Sequence, residues 1–376
     1  SGQSLIQDLT VMLLDKGTKQ RDRFALTNLI DNRGAQLRSR SNSTRIGFSG
    51  RAMRADLMEV ITLLGEQLRQ PLFDPAEVEK AKARLAGEIR RSMENTGAQA
   101  VSALTRQLFP TDHPNYHYPF EAELEALSDI TLDDITSFYD DHFGARELTL
   151  VLVGDLASYP AADILDDVFS GWDPPVSASQ FSTSGLDREP ERIVVPVLDK
   201  QNLDVRIGHA LALRRDDDAF LPVLLGNHAL GGNFSARLMS VVRDQLGLTY
   251  GIGSQLAGAS VDHDGYWRVA VTLSPDKLDE GIDATLGEIH RFVEQGLLKE
   301  ELTTTKTTVT GSFKVDLGST GGLAVTLLTN VLRGFGVEYL DEFPDRVNAV
   351  TLEEVNRAIQ FYLQPERLHT VISGTI

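Results

Sequence analysis

The sequence predicts two tandem copies of one α+β domain. Its 376 residues suffice for two domains of roughly 190 residues, each long enough to bury a core of its own. A segment near the middle of the chain recurs at the end, and in both copies a helical pattern precedes an apolar strand pattern. This internal duplication gives the fold class: α+β, with two homologous domains.

The repeat aligns without gaps over 25 residues. TLDDITSFYDDHFGARELTLVLVGD, from Thr131, lies over TLEEVNRAIQFYLQPERLHTVISGT, from Thr351, at an offset of 220 positions. Each copy reads as a threonine-capped helix with acidic residues in its first turn, followed by a short turn and an apolar strand. We therefore expect each domain to end on that strand, at residues 148–155 in the first copy.

Two further helices precede this segment in each copy. Apolar residues spaced i, i+3, i+4 and i+7 predict helices at 57–68 and 278–293, and a second helix follows at 77–93 and 299–310. The stretch 173–191 is rich in proline, serine and glycine and is typical of a linker. We place the first domain at residues 1–178 and the second at residues 190–376.

The second copy contains two strand patterns that the first copy lacks. They begin at Ile193 and Leu203, ahead of a helix at 220–230. Shifted back by 220 positions, Ile193 would fall before residue 1, so the first copy begins at what should be its first helix, residues 4–14. We expect the first domain to lack its N-terminal strands, which were lost or are supplied by another chain.

Charge and composition exclude several classes of function. The 36 basic and 54 acidic residues give a net charge of −18, which repels nucleic acid and anionic membrane surfaces. No uninterrupted apolar run has the length of a transmembrane helix. Because the chain has no cysteine, it has no thiol nucleophile and no cysteine-based zinc site. We expect no nucleic-acid partner and no direct membrane span.

Several motifs resemble those of the pitrilysin/insulinase metallopeptidases, whose zinc motif reads H-x-x-E-H on a helix. The motifs are LLDKGT from Leu13 and QPLFDPAEVEKAKARLAGEI from Gln70 in the first copy, and ALGGNFSARLMSVVRDQLGLTYGIGS from Ala229 in the second. The resemblance implies domains built as an antiparallel sheet with helices packed on one face. It also implies that the two domains form half of a chamber in which a peptide binds as an added strand.

The resemblance also identifies the positions of the zinc motif. Carried over by position, the two histidine ligands fall on Asp8 and Met12, the general-base glutamate falls on Val11, and a third ligand falls on Glu88. A zinc centre needs about three protein ligands and an open water position, and hydrolysis needs a base for that water. We therefore expect this chain to bind no zinc and not to hydrolyse peptides by itself. For Glu88, a solvated helix carboxylate is the favoured interpretation.

The signature of the second domain is retained. By resemblance, Arg243 and Tyr250 reach towards a zinc site on a facing domain, where they bind the substrate carbonyl and the developing oxyanion. We expect Arg243 in the last turn of a helix that Gly247 ends, and Tyr250 at the start of the next strand. A surface arginine and an ordinary half-buried strand tyrosine are the alternative interpretation.

Two functions are consistent with these residues. The leading hypothesis is the non-zinc-binding half of a zinc endopeptidase, which acts on a peptide or unfolded protein. Its partner would be an H-x-x-E-H-bearing homologous subunit, or an upstream half of a longer protein, and zinc is expected there. The alternative is an inactive structural or peptide-binding homologue, like the core subunits of the respiratory cytochrome bc complex. Bacterial relatives of this kind are often periplasmic, so the periplasm is the favoured location.

Overall fold

The computed structural model describes residues 2–157, 159–175 and 180–375. Its helices are α1 (Gly2–Leu13), α2 (Arg23–Asp31), α3 (Leu57–Arg69), α4 (Pro75–Met93), α5 (Thr96–Leu108), α6 (Phe120–Asp129), α7 (Leu132–His142), α8 (Ala161–Phe169), α9 (Phe220–Gly231), α10 (Leu278–Gln295), α11 (Lys299–Asp316), α12 (Thr320–Leu332), α13 (Tyr339–Ala349) and α14 (Leu352–Tyr362). Its strands are β1 (Gln36–Ser41), β2 (Ile46–Arg51), β3 (Arg192–Pro196), β4 (Leu203–Leu211), β5 (Thr249–Ala257), β6 (Gly265–Leu273) and β7 (His369–Gly374). A π-helix, Met239–Gln245, lies between α9 and β5.

The duplication is visible in the order of the elements. In the first copy, helix α1 is followed by the β1–β2 pair and then by α3 to α7; in the second, α9 is followed by β5 and β6 and then by α10 to α14. Helices α7 and α14 have matching bounds at the offset seen in the sequence, and each begins with a capping box, on Thr131 and Thr351. The predicted capped helices are confirmed.

Contacts within the chain define two compact units. The first contains Ser1–Arg90, Phe120–Gln180 and Ser319–Leu328, and the second contains Arg91–Pro119, Phe181–Gly318 and Thr329–Ile376. A segment of the first copy therefore belongs to the second unit, and a short segment of the second copy belongs to the first unit. The units are not the repeats, so the division at residues 1–178 and 190–376 stays a prediction.

The second unit is built on a five-stranded sheet with the order β3-β7-β4-β6-β5. Strands β4 to β7 pair antiparallel, whereas β3 pairs with β7 in parallel, so the expectation of a wholly antiparallel sheet is wrong at this edge. Most of the second copy lies between β3 and β7 in the sequence. A connection of this length allows two strands to pair in parallel, which a tight hairpin turn does not. One face of the sheet, including Leu203, Val205 and Ile207 of β4, packs against α9, α10 and α14.

The opposite face of this sheet is covered by α5, a helix of the first copy. Apolar residues of α5 form a core with side chains of β6 and β7: Ala100, Ala103, Leu104, Tyr266 and Val371. The hydroxyl of Thr96, at the start of α5, donates a hydrogen bond to Asp204 of β4 at 2.5 Å. This sheet therefore carries helices on both faces, where the resemblance implied helices on one, because both faces present apolar side chains.

Helix α1 lies in two cores of the first unit. Leu9 packs with α4, α6 and α7, whereas Val11 packs with α3 and α8. Strands β1 and β2 form a two-stranded sheet, and Asn42 in their turn accepts the N–H groups of Thr44 and Arg45. This hairpin was not predicted, because most of its alternating side chains are polar. Among the described residues no single helix has the length and apolarity to cross a membrane; only α11 and α12 together, as a bent pair, meet those criteria.

The strand predicted at residues 148–155 is wrong. These residues belong to no strand, and Leu148 and Leu150 are exposed at 44% and 38%. The corresponding strand of the second copy, β7, pairs with β3 and β4. At the same offset, the counterparts of β3 and β4 would fall before residue 1. In the described part of the first unit the strands β1 and β2 pair only with each other, so residues 148–155 form no ladder.

Candidate functional site

Arg243 and Tyr250 lie on two consecutive elements of the second unit. Arg243 belongs to the π-helix Met239–Gln245, and Tyr250 is the second residue of β5. The helix stops before Gly247, as predicted, and the φ of 63° at Gly247 lies in the left-handed region that glycine adopts without strain. The π form was not predicted; π-helical turns are rare and are frequently found at functional sites.

The loop between the two residues begins and ends at buried residues that contact each other. Val242 and Leu248 are exposed at only 0% and 5%. The N–H of Leu248 donates a hydrogen bond to the carbonyl of Val242 at 3.0 Å, which joins the two ends of the loop. Residues 243–247 therefore project from a fixed base at the surface of the unit.

Both candidate side chains are accessible. Tyr250 is 98% exposed, so it is not the half-buried strand tyrosine of the alternative interpretation. The Arg243 side chain is 42% exposed, and its Nη1 lies 3.7 Å from a carboxylate oxygen of Asp244. A surface pair of this kind is worth at most about 1 kcal/mol. Arg243 can therefore turn towards another anionic group at little cost, and the Tyr250 hydroxyl is open to a ligand.

Buried polar contacts fix β5 and its neighbour β6 against α9 behind the site. The indole Nε1 of Trp267 donates to the side-chain oxygen of Asn227 at 2.8 Å, and the hydroxyl of Ser254 donates to the backbone carbonyl of Asn227 at 3.3 Å. Gly231 permits this close packing, since a Cβ there would lie 2.6 Å from the backbone nitrogen of Ser254. Sequence analysis did not identify Asn227; an amide in an otherwise apolar helix was the available signal.

The four positions carried over from the zinc motif lie in the first unit, on α1 and α4. Val11 is buried, and Met12 packs against the core between α1, α4, α6 and α7. Asp8 accepts a hydrogen bond from Ser41, and Glu88 pairs with Arg84 at 3.0 Å. Met12, at a ligand position, packs its thioether into an apolar core, and Val11, at the position of the base, has no group that accepts a proton, so this set fits neither a zinc centre nor its base. Within the described ranges, no three His, Asp or Glu side chains are placed to share a metal ion.

Carboxylates nevertheless come together at this place. Burial raises the pKa of Asp8, the hydrogen bond from Ser41 opposes this, and the charge of Glu88 raises the pKa further. Burial also raises the pKa of Glu123 on α6, and the charge of Asp8 adds to that effect. Asp8 is thus near both Glu88 and Glu123. Only tertiary packing brings α6 to α1, so Glu123 could not be identified from sequence patterns.

We expect Glu123→Gln to stabilise the protein at pH 7 by up to about 1 kcal/mol, because it removes one of these repelling, partly buried charges. The folded-state pKa is raised, so the ionised carboxyl costs stability as the pH rises through that pKa. Below about pH 4 the carboxyl is protonated in both states, and the gain should disappear. Thermal unfolding at both pH values tests this, with the exposed Glu125→Gln as control. Equal melting temperatures for Glu123→Gln and wild type at pH 7 would contradict it.

Two family models match the sequence. The model described as insulinase (peptidase family M16) matches residues 9–116, and the model described as peptidase M16 inactive domain matches residues 129–309. Together they include well over half of the chain. The chain belongs to peptidase family M16. The resemblance to the pitrilysin/insulinase metallopeptidases is thereby confirmed, yet H-x-x-E-H occurs nowhere in the 376 residues of this M16 chain.

Relatives of this M16 chain are similar at low identity. The non-peptidase homolog YmxG of Helicobacter pylori (strain ATCC 700392 / 26695) is 22% identical over 95% of this chain and 81% of that protein. The uncharacterized zinc protease YmxG of Bacillus subtilis (strain 168) is 23% identical over 91% of this chain and 81% of that protein. Subunit 1 of the mitochondrial cytochrome b-c1 complex of Rattus norvegicus is 24% identical over only 41% of this chain and 32% of that protein.

A solved structure has the same fold. The crystal structure of a peptidase M16 inactive domain from Pseudomonas fluorescens superposes with a TM-score of 0.89 at 21% identity, covering 99% of this chain and 88% of that chain. The predicted α+β fold class is confirmed. The chain is therefore an M16 homologue that has the family fold without the family's zinc motif.

Proposed function

We propose that this M16 chain is the non-zinc-binding subunit, or half, of a zinc metalloendopeptidase, to which it contributes peptide binding and oxyanion stabilisation. One observation carries the proposal: Tyr250 is 98% exposed on a strand whose packing is fixed, seven positions after an accessible Arg243. The zinc-motif positions Asp8, Val11 and Met12 supply neither a ligand set nor a base. Arg243 and Tyr250 are thus suited to bind an oxyanion, whereas the zinc-motif positions would not generate the attacking nucleophile.

The two side chains would have different tasks. Peptide hydrolysis places negative charge on the scissile carbonyl oxygen as the tetrahedral intermediate forms, and a zinc ion on the partner would supply the activated water. The Tyr250 hydroxyl would donate a hydrogen bond to that oxygen, and the Arg243 guanidinium would bind the substrate carbonyl and offset the developing charge. Removing one such donor typically costs about 3–4 kcal/mol of transition-state stabilisation.

The proposal requires a partner, because the zinc-motif positions of this chain hold neither a set of zinc ligands nor a base for water. We assign that part to an H-x-x-E-H-bearing homologous subunit, or to an upstream half of a longer protein, with the zinc bound there. A peptide or an unfolded protein segment is the proposed substrate, since a strand added by main-chain hydrogen bonds makes few demands on sequence. The periplasm is the proposed location.

Reconstitution tests the proposal. Cleavage of an unstructured peptide is measured for this chain, for a candidate H-x-x-E-H subunit encoded beside it, and for their mixture. We expect the activity of the mixture to exceed the sum of the separate activities by roughly a hundredfold. The loss of one oxyanion donor lowers kcat by about this factor, so supplying the donor should raise it similarly. The matched control is a partner whose H-x-x-E-H glutamate is changed to glutamine. About one zinc bound per molecule of this chain, with cleavage by the chain alone, would overturn the proposal.

A second function is favoured by a separate observation, the partial similarity to subunit 1 of the cytochrome b-c1 complex. On that reading the chain is a catalytically inactive structural or peptide-binding component. A mixture that forms a stable complex but gains no peptidase activity would support this alternative.

A further inference from the structure

Strand β5 is irregular at the point where it carries Tyr250. Thr249 pairs with Leu273 of β6, and Ile252 pairs with Val271. Two residues of β5 therefore lie between these pairs, opposite a single residue of β6. The extra residue makes a β-bulge, and Tyr250 lies inside it. Bulges re-aim side chains near functional sites, and here the phenol leaves the sheet and is almost fully exposed.

A single hydroxyl bridges this bulge. Thr249 is 8% exposed, and its Oγ1 donates to the carbonyl of Thr272 at 2.6 Å while accepting the N–H of Gly251 at 3.1 Å. Thr272 is the β6 residue that faces the bulge, and Gly251 directly follows Tyr250. The hydroxyl of Thr249 therefore holds the backbone on both sides of Tyr250, where the regular ladder is interrupted.

A second side chain holds the other end of the loop. The ammonium of Lys277, in the turn after β6, donates to the carbonyl of Gly247 at 2.9 Å. Gly247 lies two residues after the end of the π-helix that carries Arg243. The segment from Arg243 to Tyr250 is thus anchored at two points, and both anchors join it to β6 or to the turn that follows it.

We propose that Thr249 and Lys277 are positioning residues that set the orientations of Tyr250 and Arg243 for catalysis in the assembled peptidase. This inference rests on the proposed function and adds to it two residues that need not touch substrate. A buried threonine in a strand does not by itself imply such a role. Thr370 of β7 is equally buried, at 8%, yet its hydroxyl makes no hydrogen bond within the described chain, which makes Thr370→Val a matched control.

The first measurement uses this chain alone. Hydrogen exchange of the Gly251 amide is compared in wild type, Thr249→Val, Thr249→Ser and Thr370→Val. We expect exchange to accelerate about tenfold in Thr249→Val, which corresponds to the loss of one hydrogen bond. Thr249→Ser keeps the hydroxyl and should stay near wild type, as should Thr370→Val. Unchanged exchange in Thr249→Val would overturn the inference.

The second measurement uses the reconstituted mixture. We expect Thr249→Val and Lys277→Met each to lower kcat roughly 10- to 100-fold with a smaller change in KM, because a misplaced donor is lost mainly in the transition state. Thr249→Ser should restore kcat, and Lys299→Met, at an exposed lysine on α11, is the control for Lys277→Met.

The outcomes separate this inference from the proposed function. Wild-type kcat in Thr249→Val, with a reduced kcat in Tyr250→Phe, would overturn the positioning role and leave the proposed function standing. Equal losses in Thr249→Val and Thr370→Val would show a general loss of stability and would also overturn the role. If Tyr250→Phe has no effect either, the proposed function and this inference fail together.

Discussion

Replacing Tyr250 by phenylalanine should lower kcat of the assembled peptidase by roughly 10²–10³-fold. The substitution removes the hydroxyl that would donate to the oxyanion and keeps the ring. Because Tyr250 is 98% exposed, the free energy of unfolding should change by less than about 0.5 kcal/mol. Steady-state kinetics of the mixture should show KM nearly unchanged, since the lost bond would form only in the transition state.

A matched control separates this effect from the general loss of a phenol oxygen. Tyr362→Phe makes the same chemical change at a half-buried position on α14 and should leave kcat unaltered. Arg243→Ala should reduce kcat/KM, because its guanidinium would bind the substrate carbonyl before the transition state as well as within it. If the complex forms and Tyr250→Phe retains wild-type kcat, the chain is a structural or binding partner.

Replacing Trp267 by phenylalanine should destabilise the second unit by about 3 kcal/mol. Trp267 is fully buried, and its indole N–H is the donor to the side-chain oxygen of Asn227. The smaller ring leaves a cavity and an unpaired buried acceptor. Urea denaturation followed by circular dichroism measures the loss, and the melting temperature should fall by roughly 6–12 °C.

The only other tryptophan provides the control. Trp172 is half-buried in the first unit, where it stacks on Phe169, and Trp172→Phe should cost less than about 1 kcal/mol. Adding Asn227→Leu to Trp267→Phe should recover part of the loss, because it removes the side-chain oxygen that Trp267→Phe leaves unpaired. Equal destabilisation by the two tryptophan substitutions would contradict a specific role for the buried hydrogen bond.

Local signals in the sequence predicted the features that depend on near neighbours. The threonine caps at Thr131 and Thr351 and the helix stop at Gly247 each depend on residues within one or two turns, and the structure has all three. The two elements that carry Arg243 and Tyr250 were likewise predicted from the local pattern. Their accessibility was not, since it results from how β5 packs in the sheet.

Features that depend on distant residues could not be predicted in the same way. The packing of α5 on β4 and β7, the approach of Glu123 to Asp8, and the parallel edge strand β3 all join segments far apart in sequence. The bulge at Thr249 requires the register between β5 and β6, which alternation alone does not give. Residues 148–155 have the composition of a strand, but a strand also needs a neighbour with which to pair.

The exchange of segments between the copies has a consequence for how such a chain can be divided. A fragment with residues 190–376 alone would contain every strand of the five-stranded sheet but not α5. One face of that sheet, with Tyr266 and Val371, would then be open to water and prone to aggregation. The duplicated segment therefore does not contain every element that the compact unit needs to fold. A stable truncated protein would have to keep residues from both copies.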